Sequence, residues 1–326
     1  MNTAATNTPP TIETIRAAAA RLHGRAHRTP VLESRQINAL AGARLFFKAE
    51  NFQRVGAFKF RGAWNTVASL SDEEAARGIC THSSGNHAQA IALAAAERGI
   101  PAWIVMPEGA PKVKRDAVIG YGAQVIDCAP TQQAREETAA EVVERNGATF
   151  IHPYDDPRVI SGQGTAALEL IEEVGELDAI IAPIGGGGLM SGSALCARAL
   201  CPKIRIFGAE PAGADDAARS LKAGRPLPHR PGHPATICDG LLTTIGARPW
   251  EIISRELEAC FLVSDEEVIS ALRLIWSRMK ILVEASAAVP LAALLSPQAA
   301  RREIGPRVGV LLSGGNIDLD QLPWAR

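Results

Sequence analysis

The 326-residue sequence lacks the features that would assign it to several specialised classes of protein. It contains no apolar run of about 18 residues, which a membrane-spanning helix needs. Its net charge of −1 gives no electrostatic reason to bind nucleic acid or an anionic membrane. Residues 1–10 have neither the basic nor the apolar segment of a secretory signal peptide. We therefore expect a cytoplasmic protein whose partners include neither a membrane nor a nucleic acid.

Paired cysteines are also lacking. The six cysteines form no C-x-x-C pair and no Cys/His spacing typical of a zinc site. Reduced thiols in a cytoplasmic protein are the simplest interpretation. The cysteines are Cys80, Cys128, Cys196, Cys201, Cys238 and Cys260.

Strand and helix patterns alternate along most of the chain. A first series places strands at 79–81, 102–106, 123–127 and 149–151, with helices at 86–97, 112–121 and 133–145 between them. A second series places a helix at 162–174 and strands at 179–184, 204–208 and 308–312, with a loop at 222–238. Strands separated by helices of 10–15 residues indicate parallel βαβ units. We predict an α/β protein with two open, mostly parallel sheets, a small domain at 77–152 and a large domain formed by 1–76 and 153–326.

Lys59 stands between two aromatic residues, Phe58 and Phe60. An apolar environment disfavours the ammonium, and a neutral amine is a nucleophile that can form a Schiff base. The alternative is a surface lysine whose stem lies along the two rings. This stretch alone favours the surface alternative, whereas the rest of the chain favours a reactive amine.

Four consecutive glycines, Gly185, Gly186, Gly187 and Gly188, follow the predicted strand 179–184 and form what we call the glycine loop. Ligands of open α/β sheets bind at the carboxyl ends of strands, and bare backbone N–H groups before a helix suit a phosphate. One alternative is a dinucleotide site with Glu210 on a ribose, although Met190 and Ser191 replace its third glycine. Another is a tight turn without a ligand. Four glycines exceed what a turn needs and favour phosphate.

The 83–87 loop, which follows the predicted strand 79–81, offers hydroxyls and backbone N–H groups at the start of a helix. Such groups suit a carboxylate. The alternative is an ordinary helix cap in which His87 is a capping residue. A Ser-His-Asp triad is not favoured, because no G-x-S-x-G turn is present. An amine for an aldehyde, a phosphate site and a carboxylate site together describe a pyridoxal phosphate enzyme.

These motifs, in this order, resemble those of the fold type II pyridoxal phosphate enzymes. Within that fold type the resemblance is to the group of serine racemases, threonine/serine dehydratases and threo-3-hydroxyaspartate ammonia-lyases, and it covers roughly residues 11–318. The matching segments are 56–63, 83–87, 161–165, 185–188, 210–216 and 313–316.

The resemblance implies pyridoxal 5′-phosphate as the cofactor. It implies that Lys59 forms the Schiff base and takes the Cα proton of the substrate, and that the glycine loop holds the phosphate. Phe58 packs along the ring, Asn86 bonds the 3′-oxygen and Ser313 faces the pyridine nitrogen. A hydroxyl cannot hold a protonated pyridinium as a carboxylate does. We therefore expect elimination rather than chemistry that needs a long-lived carbanion.

The resemblance also implies where a small amino acid substrate binds. Its carboxylate lies in the 83–87 loop, and Ser84 matches the serine that protonates the opposite face in racemases. Arg135 either holds a second carboxylate, as in hydroxyaspartate, or is a solvated arginine on the helix at 133–145. The implied residues of the loop are Ser83, Ser84, Gly85, Asn86 and His87.

A divalent metal site is implied as well. Its ligands are Glu210, the carbonyl of Ala214 and Asp216, a set of oxygens that suits Mg²⁺ or Ca²⁺, with Mn²⁺ as a further candidate. Asp215 is expected to face solvent. This ligand set gives Glu210 a role other than binding a ribose.

The predicted activity is β-elimination of water from L-serine, L-threonine or L-3-hydroxyaspartate, giving a 2-oxo acid and ammonia. The alternatives are an amino acid racemase that uses Lys59 and Ser84, and a small-molecule sensor built on an enzyme-derived fold. The chain departs from the family pattern at Ala57, at 241–244 and at 284–287, which concerns the substrate pocket. We expect a homodimer without a C-terminal regulatory domain.

Overall fold

The computed structural model describes residues 8–110, 112–232, 234–300 and 303–324. Residues 1–7 of the N-terminal segment and position 233 of the predicted loop lie outside the described residues. The strands are β1 (Val31–Leu32), β2 (Arg44–Ala49), β3 (Ile79–His82), β4 (Ala102–Pro107), β5 (Gln124–Cys128), β6 (Thr149–Phe150), β7 (Ala179–Pro183), β8 (Arg205–Pro211), β9 (Ala259–Val263) and β10 (Arg307–Leu312). The helices are α1 (Ile12–Leu22), α2 (Arg35–Ala41), α3 (Lys59–Ala68), α4 (Asp72–Arg77), α5 (Asn86–Arg98), α6 (Lys112–Gly120), α7 (Gln132–Asn146), α8 (Pro157–Val174), α9 (Gly188–Leu200), α10 (Asp216–Ala223), α11 (Ala247–Glu256), α12 (Asp265–Met279), α13 (Ala285–Leu295) and α14 (Pro297–Ala300).

Two open sheets carry these strands, as predicted. Over the described ranges, the larger sheet has the order β1-β2-β10-β7-β8-β9 and the smaller sheet has the order β5-β4-β3-β6. Neighbouring strands are parallel in both sheets except for β1 and β2, which are antiparallel. The fold is therefore an α/β fold with two mostly parallel sheets. The domain boundaries at 76/77 and 152/153 stay a prediction.

Alternation along the central strands produces the two cores of the larger sheet. Phe47 and Ile181 point into an apolar cluster that contains α12 and α13, whereas Phe46 and Ile180 point into one that contains α8 and α9. Both faces of the sheet are thus covered, as expected of parallel strands.

Glycine contacts set the position of α3, the helix that begins at Lys59. A Cβ atom placed on Gly162 of α8 would lie 2.6 Å from the Gly62 Cα of α3. The backbones of the two helices therefore approach closely, and α3 is fixed against the body of the larger sheet.

Several elements differ from the sequence prediction. Helix α8 begins at Pro157 instead of residue 162, because Asp156 Oδ1 accepts a hydrogen bond from Arg158 N at 2.7 Å and caps the helix earlier. Strand β8 continues to Pro211, so Glu210 lies within the strand and not after it. Helix α13 was not predicted, since its residues are buried all round and lack an amphipathic pattern. None of the helices in the described ranges is long and apolar enough to cross a membrane.

Candidate active site

The order of the strands brings three distant segments to one edge of the larger sheet. Strand β10 lies between β2 and β7, and all three are parallel. The segments that follow their carboxyl ends lead to Lys59, to Ser313 and to the glycine loop. The backbone joins two of these segments directly, because Phe58 N donates to Ser313 O at 3.0 Å. Residues far apart in sequence are therefore close together at the edge where open α/β sheets bind ligands.

The Lys59 amine is held by a carbonyl and not by a carboxylate. Lys59 Nζ donates to Pro153 O at 2.9 Å and lies 5.2 Å from the centroid of the Phe58 ring. No acidic side chain in the described ranges lies within ion-pair distance of it. Burial lowers the pKa of Lys59 to about 8, although the Glu284 carboxylate opposes this shift. A sizeable neutral fraction near neutral pH makes this amine a nucleophile and a base, in contrast to the surface alternative.

The glycine loop presents backbone alone. Gly187 has φ 89°, in the left-handed region that favours glycine, and it caps α9 without any side-chain hydrogen bond. A Cβ atom on Gly186 would overlap the ring of Tyr154, and one on Gly188 would lie 3.1 Å from the Tyr154 Cβ. The first N–H groups of α9 thus have no side-chain acceptor, an arrangement that suits a phosphate.

Pro153 and Tyr154 connect the amine to the glycine loop, and the sequence analysis missed both. They follow β6 at the carboxyl edge of the smaller sheet, next to the loop that follows β3. The ring of His152 meets the Tyr154 ring edge-on, with centroids 4.6 Å apart. The strand-end rule that identified the 83–87 loop would also have identified these residues, had it been applied to β6.

The 83–87 loop begins α5 without a side-chain cap. Gly85 is the N-cap residue and offers no side chain to cap the helix, although its N–H donates to Ser83 Oγ at 3.3 Å, and Ser83, Ser84 and Asn86 are half-buried. His87 is buried, and neither of its ring nitrogens has a hydrogen-bond partner of good geometry in the described part of the chain. The open N–H groups and the polar side chains therefore match the predicted carboxylate site.

Three histidines near the amine are held in the neutral form. Burial lowers the pKa of His87 well below its usual range, and the charges of Lys59, His152 and His82 lower it further. The pKa of His152 falls to about 4, again mainly through burial, and that of His82 is also lowered by burial. Neutral imidazoles leave Lys59 as the group of this cluster that exchanges a proton near neutral pH.

Asn86 is held by Glu284, which precedes α13, and by Asn316, which follows β10, and the sequence analysis gave neither residue a role of its own. Its Nδ2 donates to both Glu284 oxygens at 3.2 and 3.1 Å, and its Oδ1 accepts from Asn316 Nδ2 at 2.9 Å. Burial, together with the charge of Asp239, raises the pKa of Glu284 to about 7. The sequence feature that could have indicated a role for Glu284 is a carboxylate directly after the apolar run 281–283. The predicted bond from Asn86 to a 3′-oxygen stays a prediction.

Arg135 lies near the carboxyl ends of two strands of the smaller sheet. It is half-buried, and its buried Nε has no hydrogen-bond partner among the described residues. Burial lowers the pKa of His82, the last residue of β3, and the charge of Arg135 adds to this shift. Burial raises the pKa of Cys128, the last residue of β5, and the charge of Arg135 opposes that shift. The guanidinium therefore lies near the carboxyl ends of these strands, as the second-carboxylate interpretation requires.

Two buried carboxylates lie at the end of β8, where the metal site was predicted. Glu210 accepts from Ala217 N at 3.2 Å and from Ala218 N at 2.8 Å, and burial followed by the charge of Asp216 raises its pKa to about 8. Asp216 accepts from Ile245 N at 2.8 Å through Oδ2, whereas its buried Oδ1 has no hydrogen-bond partner in the described ranges. His229 Nδ1 lies 3.5 Å from that oxygen.

The expectation for Asp215 was wrong. Its carboxylate is buried and accepts from Arg219 Nε at 2.8 Å and from Arg230 Nη2 at 2.7 Å, because two arginines compensate its charge. Ala214 is buried in the short 3₁₀ turn that precedes it. No group of three or more His, Cys, Asp or Glu side chains in the described part of the chain is arranged to hold a metal ion. The predicted set differs from such a group, since it combines two carboxylates with a carbonyl.

Comparisons with known proteins agree with the motifs. The profile of the family described as "Pyridoxal-phosphate dependent enzyme" matches residues 23–314. A beta-hydroxyaspartate dehydratase from Paracoccus denitrificans is 49% identical over 316 residues, 97% of this chain and 99% of that protein. A serine racemase from Dictyostelium discoideum is 47% identical over 312 residues, 96% of each chain. A crystal structure of serine racemase from the same organism has a TM-score of 0.91 and 46% identity over 95% of this chain and 99% of that one. The resemblance drawn from the sequence is confirmed.

Proposed function

Because the chain belongs to the family of pyridoxal-phosphate-dependent enzymes, we propose that it eliminates water from a small L-β-hydroxy amino acid. The products are a 2-oxo acid and ammonia, released when the enamine that leaves the site hydrolyses. When bound, pyridoxal phosphate supplies an aldehyde that condenses with an amine and a ring that takes up electrons from the Cα–H bond.

The described residues fit this cofactor. The Ser313 hydroxyl is buried and without a hydrogen-bond partner in the described ranges, so a ligand atom facing it would satisfy it. Lys59 forms no ion pair with a carboxylate among the described residues, and the glycine loop offers bare N–H groups. Lys59 would bond the aldehyde, and the glycine loop would hold the phosphate. Ser313 would face the pyridine nitrogen, Phe58 would pack on the ring and Asn86 would bond the 3′-oxygen.

Ser313 is the observation that carries the proposed reaction type. A neutral hydroxyl donates or accepts a hydrogen bond at the ring nitrogen but supplies no negative charge to keep that nitrogen protonated. The electrons of the broken Cα–H bond are then best released with the β-hydroxyl, which leaves as water. Elimination therefore suits a site with serine at this position better than reactions that store the charge.

Lys59 supplies the base. Its pKa of about 8 leaves part of the amine unprotonated near neutral pH, and the Pro153 carbonyl holds it in place when it is not bonded to the aldehyde. The amine takes the Cα proton. The Cβ–O bond then breaks as the hydroxyl takes up a proton from the Lys59 ammonium, so that it leaves as water and the amine is neutral again. Ser83, Ser84 and the N–H groups at the start of α5 hold the α-carboxylate, beside the neutral ring of His87.

We propose 3-hydroxyaspartate as the preferred substrate, because the buried Nε of Arg135 has no hydrogen-bond partner among the described residues and its charge acts on His82 at the end of β3. A β-carboxylate would neutralise the charge of Arg135, whereas threonine and serine have no second carboxylate. Two relatives of this chain carry hydroxyaspartate in their names. Replacing Arg135 with Met should lower kcat/KM for hydroxyaspartate by about 100-fold and leave that for threonine within about threefold. The exposed Arg145, on the same helix, provides the control Arg145→Met.

We also propose a divalent cation at Glu210, the Ala214 carbonyl and Asp216. Support comes from two neighbouring buried carboxylates, one of which has an oxygen without a hydrogen-bond partner among the described residues. A hard cation such as Mg²⁺, Ca²⁺ or Mn²⁺ would compensate both charges. A homodimer in the cytoplasm completes the proposal, and light scattering of the purified protein tests the dimer.

A racemase is the second candidate, because relatives of this chain include serine racemases. It would need an acid on the face opposite Lys59, and Ser84 is the residue that the motif assigns to that face. The deciding experiment offers L-serine, L-threonine and L-3-hydroxyaspartate in turn and measures both 2-oxo acid release and D-amino acid by chiral chromatography. Release of oxo acid as the main product supports elimination, and D-amino acid in excess overturns it. With Ser84→Ala, racemisation should vanish while elimination persists.

A further inference from the structure

Tyr154 lies between the two halves of the proposed cofactor site. On one side, the preceding residue, Pro153, accepts the hydrogen bond from the Lys59 amine at 2.9 Å. On the other side, the Tyr154 ring lies against Gly186, so that a Cβ atom built there would overlap its Cγ, Cδ1 and Cδ2 atoms. One short segment therefore contacts both the amine and the glycine loop.

The Tyr154 side chain is fixed at its other end as well. Its hydroxyl bonds the Thr243 side chain, and burial raises the pKa of Tyr154 to about 12, so the phenol stays neutral. A Cβ atom on Gly246 would lie 3.1 Å from the Tyr154 Cδ2, and Gly246 N donates to Gly186 O at 3.1 Å. The ring is thus held between the glycine loop and the segment 243–246.

The glycine loop needs an external support of this kind. Glycine has the largest conformational freedom of any residue, and the loop has no side chains of its own to pack. A cofactor with an aldehyde at one end and a phosphate at the other requires a set distance between the amine and the phosphate site. A rigid aromatic side chain joined to the segment that holds the amine can set that distance.

We propose that Tyr154 is a positioning residue whose ring sets the glycine loop at the distance from Lys59 that pyridoxal phosphate requires. This inference rests on the proposed function only in its choice of cofactor. The ring acts by contact with Gly186, and the bond to Thr243 keeps the ring in its orientation. None of the motifs quoted in the sequence analysis includes Tyr154.

A pair of substitutions tests the contact. Gly186→Ala should weaken binding of pyridoxal phosphate to the cofactor-free protein by about tenfold, because overpacking of this kind costs about 1–3 kcal/mol. In a Tyr154→Asn background, which vacates the ring volume, the same Gly186→Ala change should cost less than about threefold. Equal losses in both backgrounds, measured by absorbance titration of the bound cofactor, would overturn the proposal.

Single variants keep the test decisive even where Tyr154→Asn unfolds. Gly185→Ala should weaken binding less than Gly186→Ala, because its Cβ would meet Leu241 Cα at 3.1 Å and no ring. Tyr154→Phe keeps the ring and should keep the affinity within about threefold. A tenfold loss in Tyr154→Phe, or a larger loss in Gly185→Ala than in Gly186→Ala, contradicts positioning by the ring.

Phe150→Ala serves as the matched control. Phe150 belongs to the same aromatic group, with its ring 6.2 Å from that of His152, but makes no contact with the glycine loop among those described. Its removal should lower the unfolding temperature and leave the affinity for pyridoxal phosphate unchanged. These measurements use no substrate, so a protein that binds the cofactor normally but turns over no hydroxy amino acid fails the proposed function and leaves this test standing.

Discussion

Two lysines on neighbouring elements, the fully buried Lys48 at the end of β2 and the half-buried Lys59 at the start of α3, show how an amine partly or wholly removed from water becomes either structural or reactive. Lys48 Nζ donates to Glu169 Oε2 and to Thr29 O, both at 2.6 Å, and the residue is fully buried. Lys59 Nζ has a single carbonyl at 2.9 Å. Burial lowers the pKa of both amines, but Glu169 opposes the shift directly at Lys48. A carboxylate partner keeps an amine charged and inert, and the absence of one leaves it free to react.

The same distinction separates the acidic residues at the end of β8. Asp215 has two arginine partners, whereas the adjacent Asp216 and Glu210 accept from backbone N–H groups and form no ion pair with an arginine in the described part of the chain. These two carboxylates are those of the proposed metal site. A buried charge that no arginine or lysine among the described residues compensates therefore marks the place where a ligand is expected.

The largest expected effect concerns Lys59. Lys59→Ala removes both the nucleophile and the base, so turnover should fall by at least about 1,000-fold. Borohydride reduction followed by mass spectrometry should find no pyridoxyl adduct on the peptide that carries position 59. The exposed Lys203 provides the control Lys203→Ala, which should retain both properties. Turnover above a tenth of the wild-type value in Lys59→Ala would contradict the assignment of Lys59 as the reactive lysine.

The complementary change, Lys48→Met, should affect stability and not chemistry. It deprives Glu169 of one partner in the interior, although Arg61 still donates to that carboxylate at 2.7 and 2.8 Å. We expect a loss of about 3 kcal/mol in the free energy of unfolding and little change in turnover per folded site. Denaturant titration measures this loss, with Lys59→Met in the cofactor-free protein as the isosteric comparison. A greater loss in Lys59→Met than in Lys48→Met would reverse the assignment of the two lysines.

A smaller effect is expected from the paired aspartates. Saturating Mg²⁺ should stabilise the chelator-treated protein by about 2 kcal/mol, and Asp216→Asn should abolish this gain while Asp215→Asn retains it. The raised pKa of Glu210 also predicts the direction in which stability changes with pH. Without a cation, stability should fall as the pH rises from about 4.5 to about 8, because the native state holds a proton that the unfolded state has released. Unfolding midpoints with and without Mg²⁺ across this range measure both effects, and an unchanged slope would argue against a cation at Glu210.

The smallest effect is a shift in pH dependence. Lys59 accepts a proton only when neutral, so kcat should rise with pH through its pKa of about 8. The Glu284 carboxylate favours the ammonium and raises that pKa, so Glu284→Gln should move the rise to lower pH. The exposed Glu251 supplies the control Glu251→Gln. A shift of the profile to higher pH would mean that Glu284 acts on the reaction in some other way.

The sequence was sufficient for the parts of the site that follow from local pattern. The glycine loop and the 83–87 loop each follow a strand, and the rule that ligands bind at strand ends identified them, whereas Lys59 was indicated by its two aromatic neighbours. The position of Asp215 was predicted wrongly because its arginine partners, Arg219 and Arg230, come from the helix and the loop that follow it. The sequence does not indicate that these side chains fold back onto Asp215. The contact between Tyr154 and Gly186 joins the two alternating series, and its existence depends on how their sheets pack.

The central position of β10 in the larger sheet has a consequence for folding during synthesis on the ribosome. This strand, Arg307–Leu312, is made after β2 and β7, yet it fills the gap between them. Until it emerges, the nascent chain has an interrupted sheet, and the segments carrying Lys59 and the glycine loop have no common support. Capture of the cofactor is therefore expected only after β10 has been made, and a chain that stalls before residue 307 should remain colourless.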